Sequence, residues 1–152
     1  MNYWLMKSEP DVFSIDDLKK SPNQTESWDG VRNYQARNML RDEMKKGDLA
    51  LFYHSSCETP GVVGIMEIVK AGYPDPTAFN SKHKYYDPKS KPEKPVWYLV
   101  DVRFKRKLKR VIPLTELRDK KTLHKMKLLQ KGNRLSVMPV TKKEWDYILD
   151  LE

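Results

Sequence analysis

Cysteine is almost absent from this sequence, and long apolar runs are absent altogether. The 152 residues include one cysteine, Cys57, so no disulfide bond can form within the chain. No stretch approaches the roughly 20 apolar residues that a membrane-spanning helix needs, and the first residues lack the apolar core of a signal peptide. We therefore expect a protein that is neither secreted nor bound in a membrane, located in the cytoplasm, or in the nucleus of a eukaryote.

The common sequence signatures of enzymes are missing as well. The chain contains no glycine-rich nucleotide-binding motif, no H-E-x-x-H zinc motif and no G-x-S-x-G nucleophile motif. It has three histidines, His54, His83 and His124, and its single cysteine cannot supply a C-x-x-C pair. We expect no metal ion, no cofactor and no catalytic residue.

What the chain does have is an excess of positive charge. Its 29 lysines and arginines outnumber its 21 aspartates and glutamates, which gives a net charge of +8. A basic domain attracts nucleic acid through its electrostatic field before any base specificity arises. The charge therefore favours a nucleic-acid or nucleotide partner, with no membrane involved.

The pattern of apolar residues predicts one α+β domain spanning residues 1–152. Continuous or alternating apolar residues predict strands at 3–7, 49–54, 61–69 and 96–110. Capping residues and helical spacing predict helical segments at 14–20, 34–44, 114–118, 122–130 and from Thr141 onward. A short loop joins the second and third strands, so we expect them to pair antiparallel. The result is a mixed, barrel-like sheet with short helices around it.

Two adjoining segments of the second half carry side chains of interest. The proline-rich segment 71–95 is unusually long for a loop and holds Phe79, Tyr85 and Tyr86, so we expect part of it to pack on the body. The following strand alternates apolar residues with a basic stripe that includes Arg103 and Lys105. Such a stripe is typical of a solvated face that keeps a sheet soluble, and it also offers charges to phosphates.

Polar and aromatic residues gather at three places where a strand ends or a helix begins. They are Lys-Ser-Glu-Pro at 7–10, Trp-Asp-Gly-Val-Arg at 28–32 and Tyr-His-Ser at 53–55. Strand ends and helix N-termini are where a rigid scaffold presents polar groups. An aromatic face with hydroxyl, carboxylate and N–H groups suits a planar ligand such as a nucleobase. Trp28 alone is more often a core residue than a stacking platform, so the prediction depends on the three clusters together.

The same residues resemble the motifs of EVE domains, a family of the PUA-like superfamily that is related to the YTH domains. The resemblance covers essentially the whole chain. It is carried by the motifs YWLMKSEP (3–10), WDGVRNYQARN (28–38), FYHS (52–55), GVVGI (61–65), YPDPTAF (73–79), YYDPKS (85–90), WYLVDV (97–102) and RLSV (134–137).

This resemblance implies a PUA-like fold, a mixed and mostly antiparallel sheet closing into a pseudo-barrel, and the binding of modified bases in DNA or RNA. YTH domains hold a methylated adenine in an aromatic cage, and Trp28 looks like the counterpart of one cage tryptophan. The second wall would come from the segment 71–95, which offers Phe79, Tyr85 and Tyr86.

We therefore predict a non-enzymatic module that reads a modified base or nucleotide in an aromatic-walled pocket. The predicted base pocket consists of Ser8, Glu9, Trp28, Gly30, Val31, Asn33, Tyr53, His54, Ser55 and Phe79. The predicted contacts to phosphate or nucleic acid are Lys7, Arg32, Arg37, Arg103 and Lys105.

Two alternatives stay open at this point. One is an enzyme that acts on a nucleic acid or nucleotide and uses Glu9, Asp29 or His54 as acid or base. The other is a protein-interaction domain that happens to be basic. The sequence does not fix the modification, the choice between DNA and RNA, or the oligomeric state, for which we favour a monomer.

Overall fold

Six strands form one sheet in the computed structural model, which describes residues 1–152. The strands are β1 (Tyr3–Ser8), β2 (Thr25–Ser27), β3 (Leu49–His54), β4 (Gly61–Pro74), β5 (Tyr98–Pro113) and β6 (Val137–Val140). Their order across the sheet is β2-β5-β4-β3-β1-β6. Neighbouring strands are antiparallel except β1 and β3, which run parallel. The α+β class and the mostly antiparallel sheet are confirmed. The sheet does not close into the predicted barrel, because its edge strands β2 and β6 are not paired with each other.

Short helices connect the strands. They are α1 (Ile15–Lys20), α2 (Tyr34–Asn38), α3 (Leu114–Arg118) and α4 (Lys142–Asp150). The helix α2 continues into a π-helical turn, Met39–Glu43, and single 3-10 turns lie at Pro22–Gln24, Pro76–Phe79, Lys121–Leu123 and Lys127–Leu129. The predicted caps are present: the hydroxyls of Ser14 and Thr141 each accept a backbone amide three residues on, as capping boxes do.

The structure departs from the sequence prediction in several segments. No strand was predicted between 21 and 27, but residues 25–27 form β2 because they pair with β5. The single helix expected at 122–130 is two 3-10 turns, because Met126 between them is extended with a ψ of 133°. The strands β4 and β5 run to Pro74 and Pro113, beyond the predicted ends, because they pair with each other along most of their length.

Apolar side chains cover both faces of the sheet. Along β1, Trp4 and Met6 enter one buried cluster together with residues of α1 and α2, whereas Leu5 enters a second cluster with Trp145 of α4. Successive residues of a strand point to opposite faces, so β1 is anchored on both sides. The end of β1 is therefore a rigid support for the polar residues that follow it.

Candidate functional site

The two parallel strands, β1 and β3, end at the same edge of the sheet. Ser8 lies opposite His54 in their register, and the amide of Ser55 donates to the carbonyl of Ser8 at 3.0 Å. Beyond Ser8, the amide of Phe13 donates to the carbonyl of Glu9 at 2.9 Å and turns the chain back. Parallel pairing thus brings together two of the three clusters that the sequence singles out.

The third cluster is positioned by β2. Immediately after this strand, the amide of Trp28 donates to the carbonyl of Val100 at 2.8 Å. The indole makes edge-to-face contacts with Phe52 and Phe13, at centroid distances of 5.3 and 6.4 Å. Trp28 is only 7% exposed, so most of its surface belongs to the core.

A cavity of about 570 Å³ lies where the three clusters meet. This volume falls within the roughly 300–1,000 Å³ that is usual for small-molecule sites. The predicted site residues that line it are Lys7, Ser8, Glu9, Trp28, Gly30, Val31, Arg32 and Ser55. The other lining residues are Val12, Phe13, Glu26, Ser27, Asp29, Ser56, His83, Lys84, Tyr85, Arg134 and Ser136.

Tyr85 supplies a second aromatic wall. Its ring rests on Gly30, where an added Cβ would lie 2.5 Å from the Tyr85 ring carbons. Gly30 also has a φ of +80°, which disfavours any residue with a side chain. The rings of His83 and Tyr85 are 5.3 Å apart, and the amide of Tyr85 donates to Nδ1 of His83 at 3.1 Å. Of the three aromatic residues considered for this wall, Tyr85 lines the cavity, whereas Phe79 and Tyr86 do not.

A buried carboxylate, Asp75, is bonded to Gly30 and Arg32, two residues that line the cavity. Asp75 is fully buried and accepts hydrogen bonds from the amide of Gly30 (3.0 Å) and from the amide and hydroxyl of Thr77 (2.8 and 2.6 Å). It also forms an ion pair with Arg32 at 3.1 Å. Burial by itself would raise the pKa of Asp75, but the hydrogen bonds from Thr77, Gly30 and Arg32 outweigh it and lower the pKa. Asp75 is therefore a charged structural group behind the cavity.

Arg32 lines the cavity but is already engaged within the protein. Besides Asp75, its guanidinium donates to the carbonyl of Tyr85 at 2.7 Å and to that of Val31 at 3.0 Å. It also lies 5.5 Å from the ring centroid of Tyr85 and 5.4 Å from that of Trp97. These contacts hold Arg32 against Tyr85. Few of its N–H donors are left for the phosphate contact predicted from the sequence.

Three other cations around the cavity have no carboxylate partner. We call Lys7, Lys84 and Arg134 the rim cations: all three line the cavity, and none forms an ion pair. The Lys84 ammonium lies 5.0 Å from the ring centroid of Tyr85. Partial burial lowers the pKa of Lys7, which is the expected effect of desolvation on an unpaired ammonium. These positions are free to receive an anionic ligand.

Three carboxylates also line the cavity, and they differ in their surroundings. Glu9 and Glu26 are exposed, and Glu26 accepts hydrogen bonds from the amide and hydroxyl of Ser27. Asp29 is half-buried and accepts no hydrogen bond from the protein. Burial raises the pKa of Asp29, and the nearby charge of Asp75 raises it further.

Four residues of the predicted base pocket lie outside the cavity. Asn33 caps α2 by accepting the amide of Ala36 at 2.9 Å, and Tyr53 is buried in the second apolar cluster. Nε2 of His54 accepts the amide of Ile15 at 3.1 Å, which fixes the start of α1. Phe79 ends a 3-10 turn away from the cavity lining.

Three of the predicted phosphate contacts also lie elsewhere and are occupied. Arg37 donates to the carbonyl of Val96 at 2.7 Å. Arg103 and Lys105, on β5, pair with Glu67 at 3.0 and 3.7 Å. The sequence predicts that Arg103 and Lys105 lie on a strand, but it does not predict that Glu67 of β4 lies beside them.

Sequence reasoning also missed His83, Lys84 and Arg134 as residues of the site. Arg134 and the wall residue Tyr85 belong to motifs that the resemblance covers, so a signal for both existed. His83 and Lys84 lie outside those motifs, in the proline-rich segment. Only the folding of that segment over Gly30 brings them to the cavity.

Two further properties of the structure bear on its chemistry. No group of three or more histidine, cysteine, aspartate or glutamate side chains is arranged to hold a metal ion. No helix has both the length and the apolar character required to cross a membrane.

Comparison with known proteins agrees with this architecture. The family model described as the EVE domain matches residues 2–151. The mouse protein named Thymocyte nuclear protein 1 is 52% identical over 168 residues, which cover 99% of this chain and 74% of the mouse protein.

Solved structures extend the comparison. A crystal structure of human THYN1 in complex with 5-methylcytosine containing DNA matches with a TM-score of 0.94 and 49% identity, covering 99% of this chain and 97% of the human one. A crystal structure of a protein from Pseudomonas syringae matches with a TM-score of 0.93 and 52% identity, covering 98% of each chain.

Proposed function

The chain belongs to the EVE domain family, and on that premise we propose that it binds DNA by taking a modified base, 5-methylcytosine, into the cavity between Trp28 and Tyr85. The observation that carries this proposal is the combination of two aromatic walls and three unpaired cations around one cavity. The human relative crystallised with 5-methylcytosine containing DNA supports the choice of ligand.

The cavity offers what a base needs once it leaves the DNA stack. Extrusion costs a few kcal/mol, and stacking on an aromatic side chain returns roughly 1–3 kcal/mol per base. Since little of Trp28 is exposed, we assign most of the stacking to Tyr85. Ser8, Glu9 and Ser55 at the strand ends line the cavity, and we assign to them the hydrogen bonds to the base edge. The Ser8 hydroxyl already donates to the carbonyl of Phe13 at 2.6 Å, so it would act as an acceptor, and the amide of Gly30 is already used by Asp75.

The rim cations provide the affinity for the DNA backbone. Each neutralised phosphate contributes about 0.9 to the slope of log affinity against log salt concentration. Contacts from Lys7, Lys84 and Arg134 would together give a slope of about −2.7. In this respect a DNA reader differs from a protein-interaction domain, whose affinity need not depend on salt in this way.

The enzyme alternative has less support from the geometry. It requires an acid and a base beside a common substrate, and Glu9 and Asp29 do line the cavity. His54, the third group considered, instead accepts the amide of Ile15 and lies outside the lining.

The proposal is tested by comparing two neighbouring tyrosines. We expect wild-type protein to bind a 5-methylcytosine duplex more tightly than the same duplex with cytosine, measured by fluorescence anisotropy. The change Tyr85→Ala should lower the affinity for the methylated duplex by roughly five- to hundredfold, the value of one stacked base.

Tyr86→Ala is the matched control, because Tyr86 is exposed and does not line the cavity. It should change the affinity by less than about twofold, within the range of ordinary surface substitutions. Equal binding of methylated and unmethylated duplexes by the wild type, or equal effects of the two changes, would contradict the proposal.

A further inference from the structure

Asp29 differs from the other buried or half-buried carboxylates near the cavity in having no donor. Asp75 accepts hydrogen bonds from Gly30, Arg32 and Thr77, whereas Asp29 accepts none and forms no ion pair, although it lines the cavity directly after Trp28. The oxygens of Asp29 are not themselves buried, since no buried side-chain oxygen in the structure lacks a partner, so they can be reached from the cavity. A ligand that brings an N–H group to this place would supply the missing donor.

We propose that Asp29 is the acceptor that reads the amino group at position 4 of the bound cytosine, and that it thereby admits 5-methylcytosine and rejects thymine. This inference rests on the proposed function and specifies how the same cavity selects its base.

The chemistry of the two bases makes such a group necessary. Thymine and 5-methylcytosine share the pyrimidine ring and the methyl group at position 5, so contacts to the methyl group cannot separate them. They differ at position 4, where cytosine has an amino donor and thymine a carbonyl acceptor. A reader of 5-methylcytosine that senses only the ring and the methyl group would also bind thymine.

Of the carboxylates in the cavity, Asp29 is best placed for this role. Glu26 is exposed and already accepts two hydrogen bonds from Ser27, and Glu9 is exposed at the rim. Asp29 is half-buried, accepts no hydrogen bond from the protein and directly follows Trp28 in sequence. A carboxylate there accepts from an amino group and repels a carbonyl, because two acceptors facing each other leave both unsatisfied.

The electrostatic surroundings of Asp29 agree with its need for a donor. Burial raises its pKa, the charges of Asp75 and Glu26 raise it as well, and His83 and Arg32 act in the opposite direction. These surroundings disfavour the ionised form, which an N–H donor from a ligand would stabilise. The neutral acid has one donor and one acceptor, as an asparagine side chain does, and can match either base by rotating.

The experiment uses duplexes in which 5-methylcytosine or thymine stands opposite an abasic site. With no partner base, extrusion costs are similar for both, so the affinity ratio reports the cavity. We expect the full chain to bind 5-methylcytosine at least tenfold more tightly than thymine. The change Asp29→Asn should reduce this ratio to within about threefold, mainly by improving thymine binding.

Asp11→Asn is the control, since it removes the same charge from an exposed residue that does not line the cavity. It should leave the ratio unchanged. If Asp29→Asn does not fold, as judged by thermal unfolding, Asp29→Ser carries the same test, because a serine hydroxyl also serves as donor or acceptor.

The outcomes separate this inference from the proposed function. A wild type that prefers 5-methylcytosine to cytosine in a duplex, together with an Asp29→Asn variant that keeps tenfold selectivity over thymine, overturns the role of Asp29 alone. A wild type that binds thymine and 5-methylcytosine equally also overturns it. A wild type without preference for the methylated duplex overturns the proposed function itself.

Discussion

Basic side chains on β5 and basic side chains at the cavity rim differ in what they already bind. On β5, Arg103 pairs with Glu67 at 3.0 Å and Lys107 pairs with Asp16 at 3.0 Å. At the rim, Lys7, Lys84 and Arg134 form no ion pair. Cations that keep their charge unpaired are the ones a phosphate can bind without first displacing a carboxylate. The net charge of +8 favours a nucleic-acid partner. Which surface that partner contacts depends on which basic side chains are free of ion pairs within the protein.

The largest loss of stability is expected from breaking the buried ion pair of Asp75, in comparison with the more exposed ion pairs of Glu67. Asp75→Asn should lower the free energy of unfolding by about 3 kcal/mol, because it leaves the partly buried Arg32 without its partner. Glu67→Gln breaks the ion pairs of Arg103 and Lys105, which are half-exposed, and should cost less than about 1 kcal/mol. Urea denaturation measures both, and equal losses would remove the structural role that we assign to Asp75.

The next effect compares the two basic surfaces directly. Replacing the three rim cations with glutamine should lower the affinity for a methylated duplex by about tenfold or more and reduce the salt slope by about 2.7. The matched variant replaces Arg103, Lys105 and Lys107 with glutamine and removes the same charge from β5. Anisotropy titrations at several salt concentrations should show a smaller change for it. A larger loss of affinity from the β5 variant would mean that the DNA contacts β5 and not the cavity rim.

A smaller effect is expected from a comparison of two glycines with almost the same φ angle. Gly30 and Gly132 have φ values of +80° and +79°, but only at Gly30 would a Cβ meet another residue, the ring of Tyr85. Either change to alanine should cost about 1 kcal/mol of stability through the backbone alone. Only Gly30→Ala should also displace the Tyr85 wall and weaken binding to the methylated duplex by about fivefold or more. Similar affinities for the two variants would exclude that wall from the binding site.

The smallest effect is a pH dependence of stability that originates at His54, the last residue of β3. Burial lowers the pKa of His54 from its ordinary value of 6.5, and Nε2 can accept the amide of Ile15 only while the imidazole is neutral. Protonation therefore favours the unfolded chain, and stability should decline as the pH falls below about 6.5. His54→Gln should flatten thermal unfolding temperatures between pH 7 and pH 5, whereas His124→Gln, at an exposed position, should not. An unchanged pH profile for His54→Gln would refute this linkage.

Local signals in the sequence were enough to predict much of the fold. The capping residues Ser14 and Thr141 and the apolar strands at 49–54 and 61–69 are features of neighbouring residues, and the structure confirms them. The strand β2 was not predictable in this way, because three residues form a strand only through pairing with β5. The same reason applies to the open sheet, since the sequence does not say whether two edge strands meet.

The site was predictable in part for the same reason. Ser8, Trp28 and Ser55 lie at the ends of strands, and the structure brings them to one cavity. The roles of Arg32 and His54 were not readable, because their partners Asp75 and Ile15 are 43 and 39 residues away in sequence. Which charges are free and which are already paired is a property of the folded chain alone.

Binding of a base beside Trp28 can be followed through the indole N–H signals of the four tryptophans in a two-dimensional ¹⁵N–¹H NMR spectrum. Trp28 lines the cavity as well as belonging to the core, whereas Trp4 and Trp145 are buried in the cores and do not line the cavity. Titration with a 5-methylcytosine duplex should shift the Trp28 signal in a saturable manner and leave those of Trp4 and Trp145 in place. An unshifted Trp28 signal, with changes confined to the backbone amides of β5, would contradict binding of the base in the cavity.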